Sequence, residues 1–273
     1  MAQISKKTLI YILLGLGALT MIIPFYWMIA TSLKTAGEAT AMPPVWWPGS
    51  MQFSNYVEAF QVAPFGRYLL NSVFVTLLST IGEVLTAILA AFAFARLNFY
   101  GKDILFALLL ATMMVPGELL IIPNFVTLAN LDWINTYMAL IVPWLASVFS
   151  VFIVKQRFES ISDNLYYAAK IDGCSDFRFL WQVLVPLSRS SIITMVVLKV
   201  IGSWNAFLWP LLVTNDTEMR TLPVGLQSFT TEAGTRFELL MAASTFVIVP
   251  MIVFYMIFQK YIIKGIANTG TKG

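Results

Sequence analysis

Six long apolar stretches are the feature that most constrains this chain. Each has about 20 or more residues with few charges, which is the length a helix needs to cross the hydrocarbon core of a bilayer. A soluble domain would carry about a quarter charged residues, whereas this chain of 273 residues has 11% charged and 59% hydrophobic residues. The sequence therefore predicts an all-α integral membrane protein with six transmembrane helices, at Thr8–Leu33, Tyr68–Ala95, Ile104–Leu128, Trp133–Val154, Ser190–Thr214 and Leu239–Gln259.

Residue types that many enzymes need are missing. Histidine is absent and Cys174 is the only cysteine, so disulfide frameworks, Cys/His zinc sites and Ser-His or Cys-His nucleophile pairs are excluded. The chain also lacks a paired-carboxylate motif and a Gly-x4-Gly-Lys-Ser/Thr phosphate-binding loop. We therefore expect a protein that is not an enzyme and has no catalytic residue, metal site or cofactor of its own, and an intramembrane enzyme is disfavoured.

Basic residues are distributed unevenly between the two sides of the predicted membrane. If the N-terminus is cytoplasmic, the outer segments contain only Lys34, Arg67, Arg220 and Arg236, and all other lysines and arginines except Lys199 lie in inner segments. Because lysine and arginine accumulate in cytoplasmic loops, the pattern predicts that both termini are cytoplasmic. The net charge of +3 then reflects helix ends in contact with lipid, and no nucleic-acid partner is expected.

The predicted spans divide the chain into three parts. Residues 1–66 form the first transmembrane helix and a long outer segment, which contains the aromatic and proline-rich run Pro43–Pro48 suited to the membrane interface. Residues 67–260 form a core of five transmembrane helices. Residues 261–273 form a cytoplasmic C-terminal tail.

A cytoplasmic segment between the fourth and fifth spans, Lys155 to Arg189, is predicted to be structured. Ser162 can cap a short helix, and Gly173 is a natural left-handed residue at its C-terminal end. Helical spacing places four side chains of this helix on one small-residue face, namely Leu165, Ala168, Ala169 and Asp172.

A second short helix follows in the same segment. Ser175 can cap it, and Phe177, Leu180 and Leu184 lie along it before Pro186, where we expect it to stop. The two helices form a hairpin at the membrane surface. From the pattern alone, this hairpin either has a partner or merely covers the ends of the transmembrane helices.

A resemblance favours a partner. The run from Tyr167 to Cys174, Tyr-Ala-Ala-Lys-Ile-Asp-Gly-Cys, followed by Val-Leu-Val-Pro ending at Pro186, resembles the Glu-Ala-Ala loop of ABC importer permeases. The family pattern is Glu-Ala-Ala, three residues, Gly, nine residues and Ile-x-Leu-Pro, and the spacing here matches it. Tyr167 replaces the usual Glu, and Cys174 replaces a common Ala.

The resemblance implies that the hairpin is a coupling element, which lies in a cleft of an ATP-binding subunit and transmits its closure. Two alanines would allow close backbone approach, and glycine would allow the tight turn. The residues implied are Tyr167, Ala168, Ala169, Asp172, Gly173, Cys174, Phe177 and Pro186.

Other segments resemble the carbohydrate-uptake branch of the same family. They are Asn71-Ser72, Pro116-Gly117 with Ile122-Pro123, the run Gly202–Leu211, Thr221–Leu226 and Lys272-Gly273. The chain is similar to the second, smaller permease of the maltose importer. The resemblance implies a multi-pass protein of the bacterial cytoplasmic membrane that imports an oligosaccharide, a disaccharide or a related solute such as glycerol phosphate. Its expected partners are a second homologous permease, two ATP-binding cassette subunits that bind the ATP, and an external solute-binding protein.

Charged residues within the predicted spans are candidates for function. An unpaired charge at the centre of a span costs about 2.5 to 3.5 kcal/mol or more, so Glu83, Glu118 and Lys199 should face protein or water. Glu83 and Lys199 are interpreted equally well as a structural pair or as solute contacts. Glu118 follows a predicted helix break at Pro116, and Asn205 beside Trp204 offers a polar group among aromatic residues. Glu118, Asn205 and Trp204 are therefore candidates for the solute path.

The same charged residues also allow an alternative interpretation of the sequence, as a transporter of a different class. Glu83, Glu118 and Lys199 could couple transport to an ion gradient in a secondary transporter. That alternative does not account for the Ala-Ala-x3-Gly loop.

Overall fold

The computed structural model describes residues 2–231 and 234–267, with side chains for residues 6–230 and 234–260. The described part of the chain is helical apart from connecting segments and a short antiparallel pair of strands, Thr230–Thr231 and Gly234–Thr235. The helices are α1 Ala2–Ser32, α2 Ala36–Ala39, α3 Ser54–Val62, α4 Phe65–Arg96, α5 Lys102–Thr112, α6 Ile121–Asn130, α7 Tyr137–Ile141, α8 Val148–Glu159, α9 Asp163–Ile171, α10 Asp176–Phe179, α11 Val185–Leu187, α12 Arg189–Trp204, α13 Leu208–Val213, α14 Leu222–Gly225 and α15 Phe237–Ala267.

Four helical segments among the described residues are long and apolar enough to cross a membrane without a sharp break. They are Lys6–Ser32, Phe65–Arg96, Tyr137–Glu159 and Phe237–Lys260. Two further pairs meet the same criterion only when each bent pair counts as one span. These are Lys102–Thr112 with Gly117–Asn130, bent by 91°, and Asp176–Leu187 with Arg189–Trp204, bent by 80°.

Proline explains two of the interruptions. A proline ring clashes with the carbonyl four residues earlier and cannot donate a hydrogen bond. Helix α5 ends at Thr112, four residues before Pro116, so the break expected at Pro116-Gly117 is confirmed. In the same way α12 ends at Trp204, and α13 starts only at Leu208, because Pro210 disfavours helix at residue 206. The predicted span Ser190–Thr214 is therefore two helices rather than one.

The chain forms two compact units. The first comprises residues 1–66 and 225–252, and the second comprises residues 67–224 and 253–273. The first unit begins with the same residues as the predicted segment 1–66, and it also includes residues 225–252 from the predicted core. Of the predicted tail, residues 268–273 and all side chains from 261 onward lie outside the described part.

Aromatic side chains pack the first unit. The ring of Phe246 on α15 lies edge-to-face against Phe60 at 4.4 Å and against Tyr56 at 5.7 Å. Phe65 stacks on Phe229 at 5.6 Å. The Asn55 amide donates to the carbonyl of Ser32 at 2.9 Å and to that of Lys34 at 2.8 Å, which satisfies acceptors at the end of α1.

Two hydrophobic clusters form the core of the second unit. One contains residues of α4, α8, α10 and α12, including Ala91, Phe158, Phe179 and Met195. The other surrounds Leu140 and Trp209, and the Trp209 indole N–H donates to the Ala139 carbonyl at 2.9 Å. The first cluster supports the segment after α8, and the second borders a cavity between the helices.

Candidate functional site

The turn after α9 has the geometry that its sequence predicts. Ser162 caps α9 by accepting from the Asn164 N–H, and Gly173 has a φ of 75°. The Cys174 N–H donates to the Ala169 carbonyl at 2.9 Å, and the Gly173 N–H donates to the Lys170 carbonyl at 3.0 Å. This pair of bonds is a Schellman motif, which ends the helix and needs a left-handed residue where glycine stands.

The second helix of the hairpin continues further than expected. Ser175 caps α10 as predicted, accepting from the Arg178 N–H, but the helical path runs through a π-helical turn at Leu180–Leu184 and on to Leu187. Pro186 therefore lies inside α11 and does not stop the helix before it. The π-helical turn before Pro186 has a wider hydrogen-bond spacing than an α-helix, and Pro186 lies in the first turn of α11. For both reasons the helix does not depend on the N–H that proline lacks.

The small-residue face is not a single surface. Ala169 and Cys174 are half-buried against the hydrophobic cluster of α4, α8 and α12, because the turn folds them inward. Leu165, Ala168 and Asp172 are exposed, so Ala169 does not share a free face with them. The large side chains Tyr167, Ile171 and Phe177 are 60%, 87% and 66% exposed. The outer surface of the hairpin is thus more apolar and aromatic than the sequence pattern suggested.

An ionic cluster ties α9 to α10. The Asp176 carboxylate accepts from the Tyr166 hydroxyl at 2.6 Å and pairs with the Lys170 ammonium at 2.6 Å. Hydrogen bonds from Lys170 and Tyr166 lower the pKa of Asp176, and the bond to Asp176 raises the pKa of Lys170. Burial, with Asp176 next to it, raises the pKa of Tyr166. All three groups keep the protonation states that hold the hairpin closed at neutral pH.

Arg96 fixes the start of the hairpin to the end of α4. Its guanidinium donates to the carbonyls of Phe158 at 2.7 Å and Ile161 at 2.6 Å and pairs with the Asp163 carboxylate. The Arg96 side chain is only 4% exposed. From the sequence, Arg96 was only one of the basic residues on the cytoplasmic side. In the structure it connects the hairpin to a transmembrane helix.

A cavity of about 570 Å³ lies among the helices of the second unit. Its lining includes residues of α4, α12 and α13, the segment around Trp144 and Ser150, and Thr221. The residues that line the cavity are Ser72, Val75, Thr76, Glu83, Leu140, Trp144, Ser147, Phe149, Ser150, Met195, Leu198, Lys199, Gly202, Ser203, Ala206, Trp209, Pro210 and Thr221. This volume falls within the range of small-molecule sites.

Glu83 and Lys199 form an ion pair in the cavity wall. Their side chains are 7% and 13% exposed, and Nζ lies 2.6 Å from Oε2. Glu83 also accepts from the Ser150 hydroxyl at 2.5 Å, and the Lys199 ammonium donates to the Trp144 carbonyl at 3.1 Å. From the sequence, Glu83 and Lys199 could be a structural pair or solute contacts. The structure shows the pair, and both residues also line the cavity.

Asn71 and Ser72 hold the segment before α14 against α4. The Asn71 amide donates to the carbonyls of Glu218 at 2.7 Å and Arg220 at 2.9 Å, and its oxygen accepts from the Tyr137 hydroxyl at 2.6 Å. Ser72 accepts from the Leu222 N–H at 2.8 Å. The two motifs that begin at Asn71 and Thr221, separate in sequence, are thus one hydrogen-bonded structure.

The predicted path residues are located elsewhere. Glu118 is exposed in the 3-10 turn that starts α6, and Asn205 is exposed as the C-cap of α12. Trp204 is buried at 6% exposure. None of the three belongs to the cavity lining, so their part in a solute path stays a prediction. Within the described residues no group of three or more His, Cys, Asp or Glu could hold a metal ion.

Sequence reasoning missed the polar side of the cavity. Ser72, Thr76, Ser79 and Glu83 recur at intervals of three and four along an otherwise apolar span, which is the spacing of one helical face. That spacing was a signal for a polar stripe. Thr221 could not have been found, because only the contacts of Asn71 and Ser72 place its segment against α4.

A family comparison decides the class of protein. The family described as "Binding-protein-dependent transport system inner membrane component" matches residues 83–268, more than half of the chain. The chain belongs to this family. It is a membrane permease of a binding-protein-dependent ABC transport system, as the hairpin motif indicated.

Curated relatives of the permease carry sugars or glycerol-based solutes. It is 34% identical over 271 residues to the sulfoquinovosyl glycerol transport system permease protein SmoH of Agrobacterium fabrum, covering 98% of this chain and 95% of that protein. It is 34% identical to the arabinooligosaccharides transport system permease protein AraQ of Bacillus subtilis, covering 83% and 81%. The sn-glycerol-3-phosphate transport system permease protein UgpE of Yersinia pestis is 30% identical, covering 95% of each.

Solved structures share the fold of the permease. A chain of a bacterial ABC transporter involved in import of the acidic polysaccharide alginate matches with a TM-score of 0.83 at 23% identity, covering 93% of this chain and 95% of that one. A chain of the bacterial alginate ABC transporter in complex with an alginate pentasaccharide-bound periplasmic protein matches with a TM-score of 0.67 at 17% identity. At these identities the likeness establishes the fold alone.

Proposed function

We propose that this permease moves a carbohydrate or glycerol-based solute inward across the cytoplasmic membrane, driven by ATP that two partner ATP-binding subunits bind and hydrolyse. A second homologous permease completes the membrane pathway, and an external solute-binding protein delivers the solute. The observation that carries this proposal is the α9–α10 hairpin, whose sequence resembles the family's loop, whose turn is a Schellman motif and whose outer surface exposes Tyr167, Ile171 and Phe177.

The hairpin is suited to transmit force. Large apolar side chains exposed together on a rigid element are typical of a surface that docks into a partner. The Lys170–Asp176 pair holds the two helices together, and Arg96 joins them to α4. Closure of the ATP-binding subunits would then move the hairpin and the transmembrane helices as a rigid body, giving alternating access.

We assign six spans with both termini in the cytoplasm. The four continuous helices and the bent pair Lys102–Thr112 with Gly117–Asn130 support five spans, and we assign α12 with α13 as the sixth. The distribution of lysine and arginine supports the orientation. Reporter fusions at Lys102 and Lys170 are expected to be cytoplasmic, and a fusion at Glu218 external. A cytoplasmic Glu218 would overturn both the number of spans and the orientation.

The names of the relatives support a class of solute. Sulfoquinovosyl glycerol, arabinooligosaccharides and glycerol 3-phosphate, which the relatives' names give, are all polyhydroxylated. Two of the three, sulfoquinovosyl glycerol and glycerol 3-phosphate, are acidic. We therefore propose a polyhydroxylated solute for this permease and leave its charge to experiment.

The direct test is reconstitution. The permease, purified with the products of its neighbouring genes, is expected to retain ATP-binding subunits and a second permease, and its ATPase activity should rise when the solute-binding protein is added. Uptake driven by an ion gradient without ATP would contradict the proposal and favour the secondary-transporter alternative. That alternative does not account for the Ala-Ala-x3-Gly loop.

The segment Asn215–Arg236 is proposed to contact the binding protein. Its described residues include helix α14 and the paired strands Thr230–Thr231 and Gly234–Thr235. Arg236 is anchored by Glu58 at 2.6 Å and Glu238 at 3.0 Å. Cross-links from Thr230 or Thr231 to the binding protein are expected in a transporting complex. If none form while transport proceeds, the segment has no such role.

A further inference from the structure

We propose that the cavity lined by Thr76, Trp209 and Thr221 is a solute-binding site within this permease, for the uncharged, polyhydroxylated part of the solute. The inference rests on the proposed function, because it assumes that solute reaches the membrane interior. It adds a binding site that is formed by this chain alone. The site is separate from Glu118, Asn205 and Trp204.

Two buried hydroxyls carry the inference. Thr76 and Thr221 are each 6% exposed, line the cavity, and have no hydrogen-bond partner for their Oγ1 atoms. A buried hydroxyl without a partner is costly, so such groups are normally satisfied by protein, water or ligand. Thr76 lies on α4 and Thr221 directly before α14, and the bond from the Leu222 N–H to the Ser72 hydroxyl holds these two segments together, so that both threonines line one cavity.

The remaining polar groups favour a neutral ligand. Glu83 and Lys199 neutralise each other across 2.6 Å, so an anion would meet the carboxylate and a cation would meet the ammonium. A hydroxyl can donate to Glu83 and accept from Lys199 at the same time, because a hydroxyl is both donor and acceptor. A polyol therefore uses both partners where a simple ion can use only one.

The shape and the apolar wall also suit a sugar or glycerol moiety. From Ser72 to Glu83 the polar stripe of α4 is roughly 16 Å long, at 1.5 Å per residue. Trp144 and Trp209 line the same cavity with their rings 6.1 Å apart, and Gly202 on α12 and Ala206 just after that helix leave room. Aromatic surface suits the CH faces of a sugar, while hydroxyls face the stripe. A charged group of the solute would lie outside this cavity.

The test measures protection of a single thiol in the complete importer. In a Cys174→Ser background, which removes the native thiol, Ala206→Cys places a thiol in the cavity wall. Its reaction with a small methanethiosulfonate reagent is timed in lipid nanodiscs with glucose, arabinose, maltose or glycerol as probes. Inorganic phosphate and sulfate serve as anions without a polyol, and Ser160→Cys, on the exposed surface after α8, controls for effects on the reagent.

A matched pair of valine variants tests whether the effect is specific to hydroxyls of residues that line the cavity. Thr76→Val removes a hydroxyl that lines the cavity, whereas Thr80→Val removes an equally buried, equally unpartnered hydroxyl one turn along α4 that does not. We expect at least one polyol to slow labelling of Ala206→Cys. The concentration that gives half protection should rise about tenfold in Thr76→Val and Thr221→Val, the factor for one lost hydrogen bond, and stay unchanged in Thr80→Val.

The outcomes separate this inference from the proposed function. Protection by no polyol, protection by phosphate or sulfate instead, or equal effects of Thr76→Val and Thr80→Val would overturn the binding site. Stimulation of ATPase activity by the binding protein, measured on the same preparations, reports the proposed function. If stimulation persists without protection, the binding site alone is wrong; if stimulation is absent, the proposed function fails.

Discussion

The side-chain amide of Asn71 donates a hydrogen bond of 2.9 Å to the main-chain carbonyl of Arg220, 149 residues further along the chain. The same amide bonds the Glu218 carbonyl, and its oxygen accepts from Tyr137. One asparagine thus joins the start of the second span to α7 and to the segment before α14. That contact also fixes the position of Thr221 beside the cavity.

Replacing this asparagine tests the contact. Asn71→Leu keeps the branched shape of the side chain but leaves two carbonyls and a hydroxyl without their partner, so we expect the free energy of unfolding to fall by about 1 to 3 kcal/mol. Tyr137→Phe removes only one of the three bonds and should cost less. Thermal midpoints of the purified complex measure both. Equal loss in the two variants would show that the amide donors contribute little.

The close packing of Gly82 predicts a second-site rescue. A Cβ added at Gly82 would overlap Leu145 Cδ2, so Gly82→Ala forces the leucine to move. We expect a loss of about 1 to 3 kcal/mol, as for other overpacked sites. Gly82→Ala with Leu145→Ala should recover part of it. Gly66→Ala, on the same helix with open space around it, should be neutral or stabilising by about 0.5 to 1 kcal/mol.

The Glu83–Lys199 pair predicts non-additive variants. Glu83→Gln or Lys199→Met alone leaves a buried charge without its partner, and we expect each to cost about 3 to 5 kcal/mol of stability. The double variant removes both charges and should be more stable than either single variant. The amount of folded permease recovered from membranes and its thermal midpoint measure this. If transport requires Glu83 to carry a proton, the double variant will be stable but inactive.

The Schellman turn predicts a selective effect at Gly173. Its φ of 75° is poorly tolerated by a β-branched residue, so Gly173→Val should strain the turn by about 1 to 2 kcal/mol or more and uncouple ATP hydrolysis from solute. Gly173→Asn is the matched control, since asparagine adopts left-handed backbone readily, and it should keep most transport. Normal transport by Gly173→Val would remove the main support for the coupling role.

Cys174 reports the state of the same turn. The thiol is half-buried against the hydrophobic cluster, so a membrane-impermeant maleimide should label it slowly in inside-out vesicles and not in intact cells. Gly173→Val should speed labelling because it loosens the turn, and bound ATP-binding subunits should slow it. Labelling that is the same with and without those subunits would contradict docking at this hairpin.

Acid should loosen the hairpin in a defined range. The pKa of Asp176 is lowered by Lys170 and Tyr166, so its stabilising contribution is complete above the ordinary aspartate pKa of 3.8 and is lost as pH falls below it. The pKa of Lys170 is raised, so its contribution persists up to its ordinary pKa of 10.5 and is lost only as pH rises beyond that. The protection factors of the hairpin amides, which correct for the pH dependence of intrinsic exchange, should fall below about pH 4, and Asp176→Asn should remove this dependence.

Local rules made much of the fold predictable. Span length depends on bilayer thickness, helix ends depend on capping serines and on Gly173, and the break at Pro116 depends on a clash within one turn. All of these act over a few residues, so the sequence displays them directly. The extension of the second hairpin helix past Pro186 was missed because a π-helical turn accommodates the proline there, which capping patterns do not show.

The sequence by itself determined that this chain is helical and suited to a membrane, and its Ala-Ala-x3-Gly loop indicated the family. Only the tertiary structure decided which side chains meet. It paired Glu83 with Lys199, turned Ala169 inward while leaving Tyr167 exposed, and brought Thr221 to the same cavity as Thr76. The physical reason is that these contacts join residues far apart in sequence, and their geometry follows from how whole helices pack rather than from the residues beside them.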